Sequence, residues 1–161
     1  MKEGFNKALD QVEMTYAQLQ EIADKIVRSY SQETDNVIAS MTKNIENTSN
    51  DELREVLFQL SLGAYRLGDV KDKSSFKADI AKTLRQHKYA SSFNESEGTV
   101  AVRENKAFIE SSEELLVEGL HDLMSSLLKT KLDEIHRVVD TIKMILTTRL
   151  SEAKLSSVQA M

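Results

Sequence analysis

Apolar residues recur at alternating steps of four and three along most of the chain. Through residues 3–46 the series is Phe5, Leu9, Val12, Tyr16, Leu19, Ala23, Ile26, Tyr30 and Val37, with one step missed at Glu33. This spacing is the seam of a heptad repeat and predicts one long helix. At 1.5 Å per residue such a helix spans about 60 Å. A single seam on so long a helix needs a partner, either another helix of the chain or the same helix of a second subunit. Leu9, Val12, Leu19 and Ile26 are therefore the candidate oligomer seam. Tyr16 and Tyr30 fall on the same seam, where each hydroxyl needs a polar outlet.

Residues 47–50, Asn-Thr-Ser-Asn, read as a turn. Ser49 followed by Glu52 has capping-box spacing and starts a second helix at about Asn50. Leu53, Val56, Leu57, Leu60, Ala64, Leu67 and Val70 give this helix an apolar face, and the short turn folds it back on the first as an antiparallel hairpin. The pattern lapses at Asp72-Lys73-Ser74-Ser75, where a kink or break is expected. Phe76, Ile80, Leu84 and His87 then resume the apolar face to about residue 90. Residues 91–98, with Gly98, have loop composition, and Thr99 is placed to cap the next helix. From Val100 to about Lys154 runs one long helical pattern through Phe108, Leu116, Leu120, Leu123 and Leu127. It continues through Leu128, Leu132, Ile135, Val139, Ile142, Leu146 and Leu150. Its one-residue drift suits a straight helix better than a strict supercoil. Residues 155–161 are expected to fray. The predicted fold is a single all-α domain over 1–161: an elongated helical hairpin plus one long C-terminal helix, with coiled-coil-like packing.

Composition agrees. The chain has no Pro and five Gly, so little interrupts its helices. Aromatic residues are 6% with no Trp, which leaves the core to Leu, Ile, Val and Met. The absence of Cys excludes disulfides and thiolate metal sites and makes the cytoplasm the expected compartment. No stretch approaches the ~20 apolar residues of a membrane span, and no secretory leader is read at the N-terminus.

Charge is unevenly distributed. The chain carries −5 overall, but residues 66–90 hold 7 basic and 3 acidic side chains, whereas residues 1–65 hold 6 and 11. Residues 91–126 hold 2 and 8. A local basic block can attract polyanions whatever the total, although such a block is also what a solvated helix face looks like. On a continuous helix Lys71, Lys82 and Arg85 share one arc, while Lys73, Lys77 and Lys88 lie nearer the apolar face.

Chemistry-bearing patterns are sparse. Glu118-x-x-His121 is half of a di-iron carboxylate motif, and its would-be second copy reads Asp133-x-x-His136. Adjacent carboxylates such as Glu113-Glu114 diverge on a helix and share no proton. There is no Gly-rich phosphate loop, and no set of nucleophile, base and oxyanion donors. The sequence therefore points to no enzyme, no metal and no cofactor.

The basic helix from Lys71 to Lys88, the segment Gly98-Thr-Val-Ala-Val-Arg-Glu-Asn-Lys-Ala107, and the amphipathic helix with Leu132, Ile135, Val139, Ile142 and Leu146 occur in an order that resembles the UvsY family of phage recombination mediators. The resemblance covers residues 53–150 and lies in layout rather than in a motif. It implies a homo-oligomer that binds single-stranded DNA and helps load a recombinase against a single-strand-binding protein, without catalysis or cofactor. The residues it implies for DNA contact are Lys82 and Arg85, with Lys71, Lys77 and Lys88 as neighbours and Arg103 and Lys106 across the loop. Tyr89 and Phe93 would stack bases. Arg103 near a helix start opposes the dipole, and an ion pair with Glu97 or Glu110 would equally account for it. The alternative reading is a helical interaction or structural protein, such as a phage assembly or host-takeover factor, whose cations pair with Asp79, Glu95 or Glu97 and bind nothing.

Overall fold

The computed structural model describes the backbone of residues 2–45 and 47–159, and side chains for residues 15–45 and 47–157. It is all-α. Four helices appear, α1 (Lys2–Asn44), α2 (Asn50–Glu95), α3 (Val100–Glu110) and α4 (Ser112–Gln159), with no strand among the described residues. Two compact units form: unit 1 from residues 1–27 and 70–127, and unit 2 from residues 28–69 and 128–161.

Unit 2 is a helical hairpin with α4 laid against it. Its turn is built as the capping box requires: Glu52 accepts from the backbone N–H and the hydroxyl of Ser49 at 2.8 Å each, and Ser49 Oγ accepts from the Glu52 N–H at 3.2 Å. These bonds hold the Glu52 carboxyl below the usual carboxylate range. Asp51 and Glu52 also place negative charge at the positive end of α2. Arg149 of α4 clamps the same turn, donating to the carbonyls of Thr48 at 2.6 Å and Ile45 at 3.4 Å. The buried side chains of this unit are mostly large and aliphatic: Leu53, Leu60 and Leu67 from α2, and Leu128, Ile135, Val139 and Ile142 from α4. Burial of each contributes about 1.5–3 kcal/mol.

Apart from Met41, the buried α1 side of this core is small and polar. Ser31 and Thr34 are buried, and Ser31 donates to Asp35, which accepts in turn from Lys131 at 3.0 Å. Burial works against the Lys131 charge, but Asp35 and Glu134 outweigh it and hold the ammonium above its ordinary range. Thr34 faces Gly63, where an added Cβ would stand 2.6 Å from Thr34 Oγ1. This close approach needs both a glycine and a short side chain opposite it.

Unit 1 packs differently. Its described buried residues are Ala23, Val27, Ala78, Ala81, Ala107 and Met124, together with Ser74, Ser92, Ser96 and Ser111. Small side chains dominate this inner face, and two serine hydroxyls of α2 bond across it to α4. Ser74 Oγ donates to the His121 carbonyl at 3.1 Å and lies 3.1 Å from His121 Nδ1. Ser75 and Ser125 share a hydrogen bond of 2.7 Å.

Several sequence expectations change. No break occurs at Ser74-Ser75, because both serines bond across to α4 rather than back to their own turn. α2 runs on to Glu95, leaving only residues 96–99 as the connection, with Gly98 at φ 112°. Ser92 and Ser96 are buried, and the Ser96 N–H and hydroxyl both bond back to the Ser92 carbonyl at the helix end. Thr99 occupies the N-cap of α3 without a side-chain cap bond. The expected long helix from Val100 is interrupted at Ser111. There Ser111 adopts φ −97° and ψ 5°, Ser111 Oγ and Ser112 Oγ donate to the Phe108 and Ile109 carbonyls, and the backbone bonds from Ser111 N–H to Ala107 and from Leu115 N–H to Ser111 continue across it. The expected frayed tail is helical to Gln159.

The buried face of α1 coincides with the expected seam at Ala23 and drifts by one residue from there, leaving Leu19, Ile26 and Val37 half-buried. Ala23, Val27, Ser31, Thr34 and Met41 are buried, whereas Tyr16 and Tyr30 are exposed. Most of these positions carry small side chains, and Thr34 among them lies against Gly63.

Gly63→Ala is expected to destabilise the protein by about 1–3 kcal/mol through overpacking. In a Thr34→Ala background the same change should turn favourable, by up to about 1 kcal/mol, the helix preference of Ala over Gly. Urea denaturation of the four proteins reads this cycle. A Gly63→Ala change that is neutral in both backgrounds refutes the close approach.

Candidate interaction site

The basic block of the sequence lies on α2, and the continuity of that helix decides where each cation points. Of the arc of Lys71, Lys82 and Arg85, the first and last are half-buried and Lys82 is exposed. Lys71 is half-buried and pairs with the adjacent Asp72 at 2.9 Å. Arg85 reaches α4, its Nε donating to Glu118 Oε2 at 2.7 Å between largely shielded side chains. One turn on, Lys88 Nζ donates to Glu114 Oε1 at 2.7 Å. That hydrogen bond raises the Lys88 ammonium above its usual range and holds Glu114 below the carboxylate range. Arg85 and Lys88 thus tie α2 to α4. Their carboxylate partners are Glu118 and Glu114, not Asp79, Glu95 or Glu97. Lys77 and Lys82 are exposed and make no ion pair among the described residues.

The end of α2 carries a stack. Tyr89 and Phe93 have ring centroids 6.4 Å apart and nearly parallel planes, 7° apart. On Phe93 lies the Arg103 guanidinium, 4.2 Å from the ring centroid. Arg103 Nε donates to the Phe93 carbonyl at 2.8 Å. Arg103 is therefore bound to neither Glu97 nor Glu110. It sits where α2 ends in unsatisfied carbonyls and partial negative charge, and this offsets its unfavourable place near the start of α3. Lys106 is an outlying surface residue, 4.0 Å from Glu110.

The outer face of α2 is the surprise of unit 1. Phe76, Ile80 and Leu84, expected to face the core, are 65%, 43% and 55% exposed. The face that packs inward carries Ser74, Ala78 and Ala81 instead. The apolar pattern misleads here because inward positions are chosen for size and hydrogen bonding, not hydropathy. Val100, Val102, Phe108, Ile109 and Leu116 of the same unit are exposed too.

Of the expected oligomer seam, Leu19 and Ile26 are half-buried, and Leu19 Cδ1 lies 3.7 Å from where a Cβ on Gly119 of α4 would stand. Leu9 and Val12 have side chains outside the described residues. The residues that sequence reasoning missed are those with polar roles between helices: Ser74, Ser75, His121, Ser125, Glu114, Glu118 and Arg149. One signal was present for Ser74, which lies seven residues after Leu67, as Leu67 follows Leu60 and Leu60 follows Leu53.

The half-motif Glu118-x-x-His121 is engaged within the protein, Glu118 by Arg85 and His121 by Ser74. No cluster of three metal-capable side chains occurs among the described residues. In unit 2 an open groove beside the turn includes Glu52 and Glu55, but these bond to Ser49 and Gln59. No helix among the described residues is long and apolar enough to cross a membrane. The chain matches no family model, no curated protein and no solved structure.

Burial, and then the nearby Lys77 charge, pull the His121 pKa below its ordinary value, against a smaller opposing effect of Asp122. The unfolded chain consequently takes up this proton more readily than the folded one. Stability should be fully present above the ordinary histidine value of about 6.5 and should fall as pH drops through and below it. Urea midpoints at intervals from pH 7.5 to 5.5 should show this decline, and His121→Gln should flatten it. An equal slope in both proteins would assign the effect elsewhere.

Proposed function

We propose that the chain is a non-enzymatic helical interaction protein that binds other protein surfaces through apolar faces its own core leaves uncovered. The observation that carries this reading is the inversion on α2 in unit 1, with Ser74, Ala78 and Ala81 inside and Phe76, Ile80 and Leu84 outside. Exposed apolar side chains scattered singly are ordinary, but a contiguous row on one helix face marks an interaction site. The internal pairing of Arg85 with Glu118 and of Lys88 with Glu114 supports the same reading, since it commits to packing two cations that a polyanion site would present.

A second reading, single-stranded DNA binding in support of a recombinase, is favoured by the Tyr89–Phe93–Arg103 stack and by exposed Lys77 and Lys82 nearby in sequence. A flat side chain beside cations is what single strands bind. The likeness to recombination mediators rests on residue layout alone.

Two titrations separate the readings. An apolar fluorescent dye should bind the folded parent and lose most of its signal with Phe76→Glu/Leu84→Glu, at unchanged helical content. No dye binding by the parent would refute the interaction reading. A labelled oligonucleotide of about 30 nucleotides should show no binding at about 50 mM salt. Binding there that weakens steeply with salt, and with Lys77→Ala/Lys82→Ala, would instead favour the nucleic-acid reading.

A further inference from the structure

We propose that the α2 face carrying Phe76, Ile80 and Leu84 is where a second copy of this chain docks, with the two α2 helices parallel and related by a two-fold axis. This rests on the interaction-protein reading and names its partner. The three side chains succeed one another at steps of four, so they form one row on the helix, opposite the inward positions Ser74, Ala78 and Ala81.

The flanks of the row select the occupant. With Ile80 at heptad position a and Phe76 at d, Asp72 and Asp79 take position g, while Lys77 and Leu84 take e. One flank is acidic and the other carries Lys77. In a parallel pair the g flank of each helix meets the e flank of the other, and these flanks set partner choice and orientation. Asp72 then faces Lys77 of the second copy, and the symmetry axis makes the same pair again. An antiparallel pair would set Asp72 and Asp79 against their own equivalents, acid on acid. Lys77 and Asp79 make no ion pair among the described residues, and Asp72 has only the exposed contact with its neighbour Lys71. A face whose own two flanks complement each other under two-fold symmetry fits a copy of itself.

The row ends in polar residues. Lys73 and His87 occupy the outer a positions and Thr83 the remaining d position, which fixes register at a cost in affinity. About four turns of paired helix bury less than the roughly 1,200 Å² of a stable complex. The dimer is therefore weak and forms with rising concentration.

Sedimentation velocity of the full chain from about 1 to 200 μM, with circular dichroism as the control for folding, tests this. The parent should pass from monomer to dimer, and Ile80→Asp should stay monomeric with unchanged helicity. Lys77→Asp should weaken association roughly tenfold, as loss of two exposed pairs and their replacement by like charges implies. Asp72→Lys/Lys77→Asp should restore it. The chain has no Cys, so Thr83→Cys should link two copies under mild oxidation only in the parallel arrangement. A dimer indifferent to Ile80→Asp, a double exchange that restores nothing, or no cross-link from Thr83→Cys overturns the proposal. A parent that stays monomeric yet binds the apolar dye at this face overturns the second copy and leaves the interaction reading standing. A monomer that binds no dye removes both.

Discussion

Every seventh residue of α2 from Leu53 to Ala81 is buried: Leu53, Leu60, Leu67, Ser74 and Ala81. The rest of the structure depends on that repeat. A helix in contact with others must return to the same azimuth about every two turns, so the inward position recurs whatever residue occupies it. Where the repeat is leucine, in unit 2, it packs in a core with Leu128, Ile135 and Ile142. Where it is serine and alanine, in unit 1, less apolar area is buried and the Ser74 hydroxyl finds an acceptor in the His121 carbonyl. The change of residue type explains why one unit has an aliphatic core and the other has bonds from Ser74 to His121 and from Ser75 to Ser125.

The same shortage of bulk in unit 1 accounts for its electrostatics. Ala and Ser bury little apolar area, so directed contacts contribute a larger share. Arg85 and Lys88 reach from α2 to Glu118 and Glu114, and Arg103 closes the end of α2. These are charge-assisted bonds, roughly twice as strong as neutral ones. They also hold α2 in the orientation that leaves Phe76, Ile80 and Leu84 in water. Exposure of that row results from how the inner face is satisfied, and it gives the unit its candidate binding surface.

Much was legible in the sequence. The lack of Pro, the four-and-three spacing and the Ser49–Glu52 box sufficed for an all-α fold, for the turn before Asn50 and for the hairpin of α1 and α2 in unit 2. Such features are local: a helix needs only propensity, periodicity and caps within a few residues of one another. What only the tertiary structure decided was which face of each helix is inside. Periodicity shows that a helix has faces, but it ranks them by hydropathy. In α1 and α2 the inward positions include Ser31, Thr34, Ser74 and Ala81, where Thr34 meets Gly63 and Ser74 bonds to the His121 carbonyl. The destinations of the cations were hidden for the same reason. Glu118 lies 33 residues from Arg85, and the carbonyls that Arg149 caps lie about a hundred residues away. Only the packing of the helices brings such groups within hydrogen-bond reach.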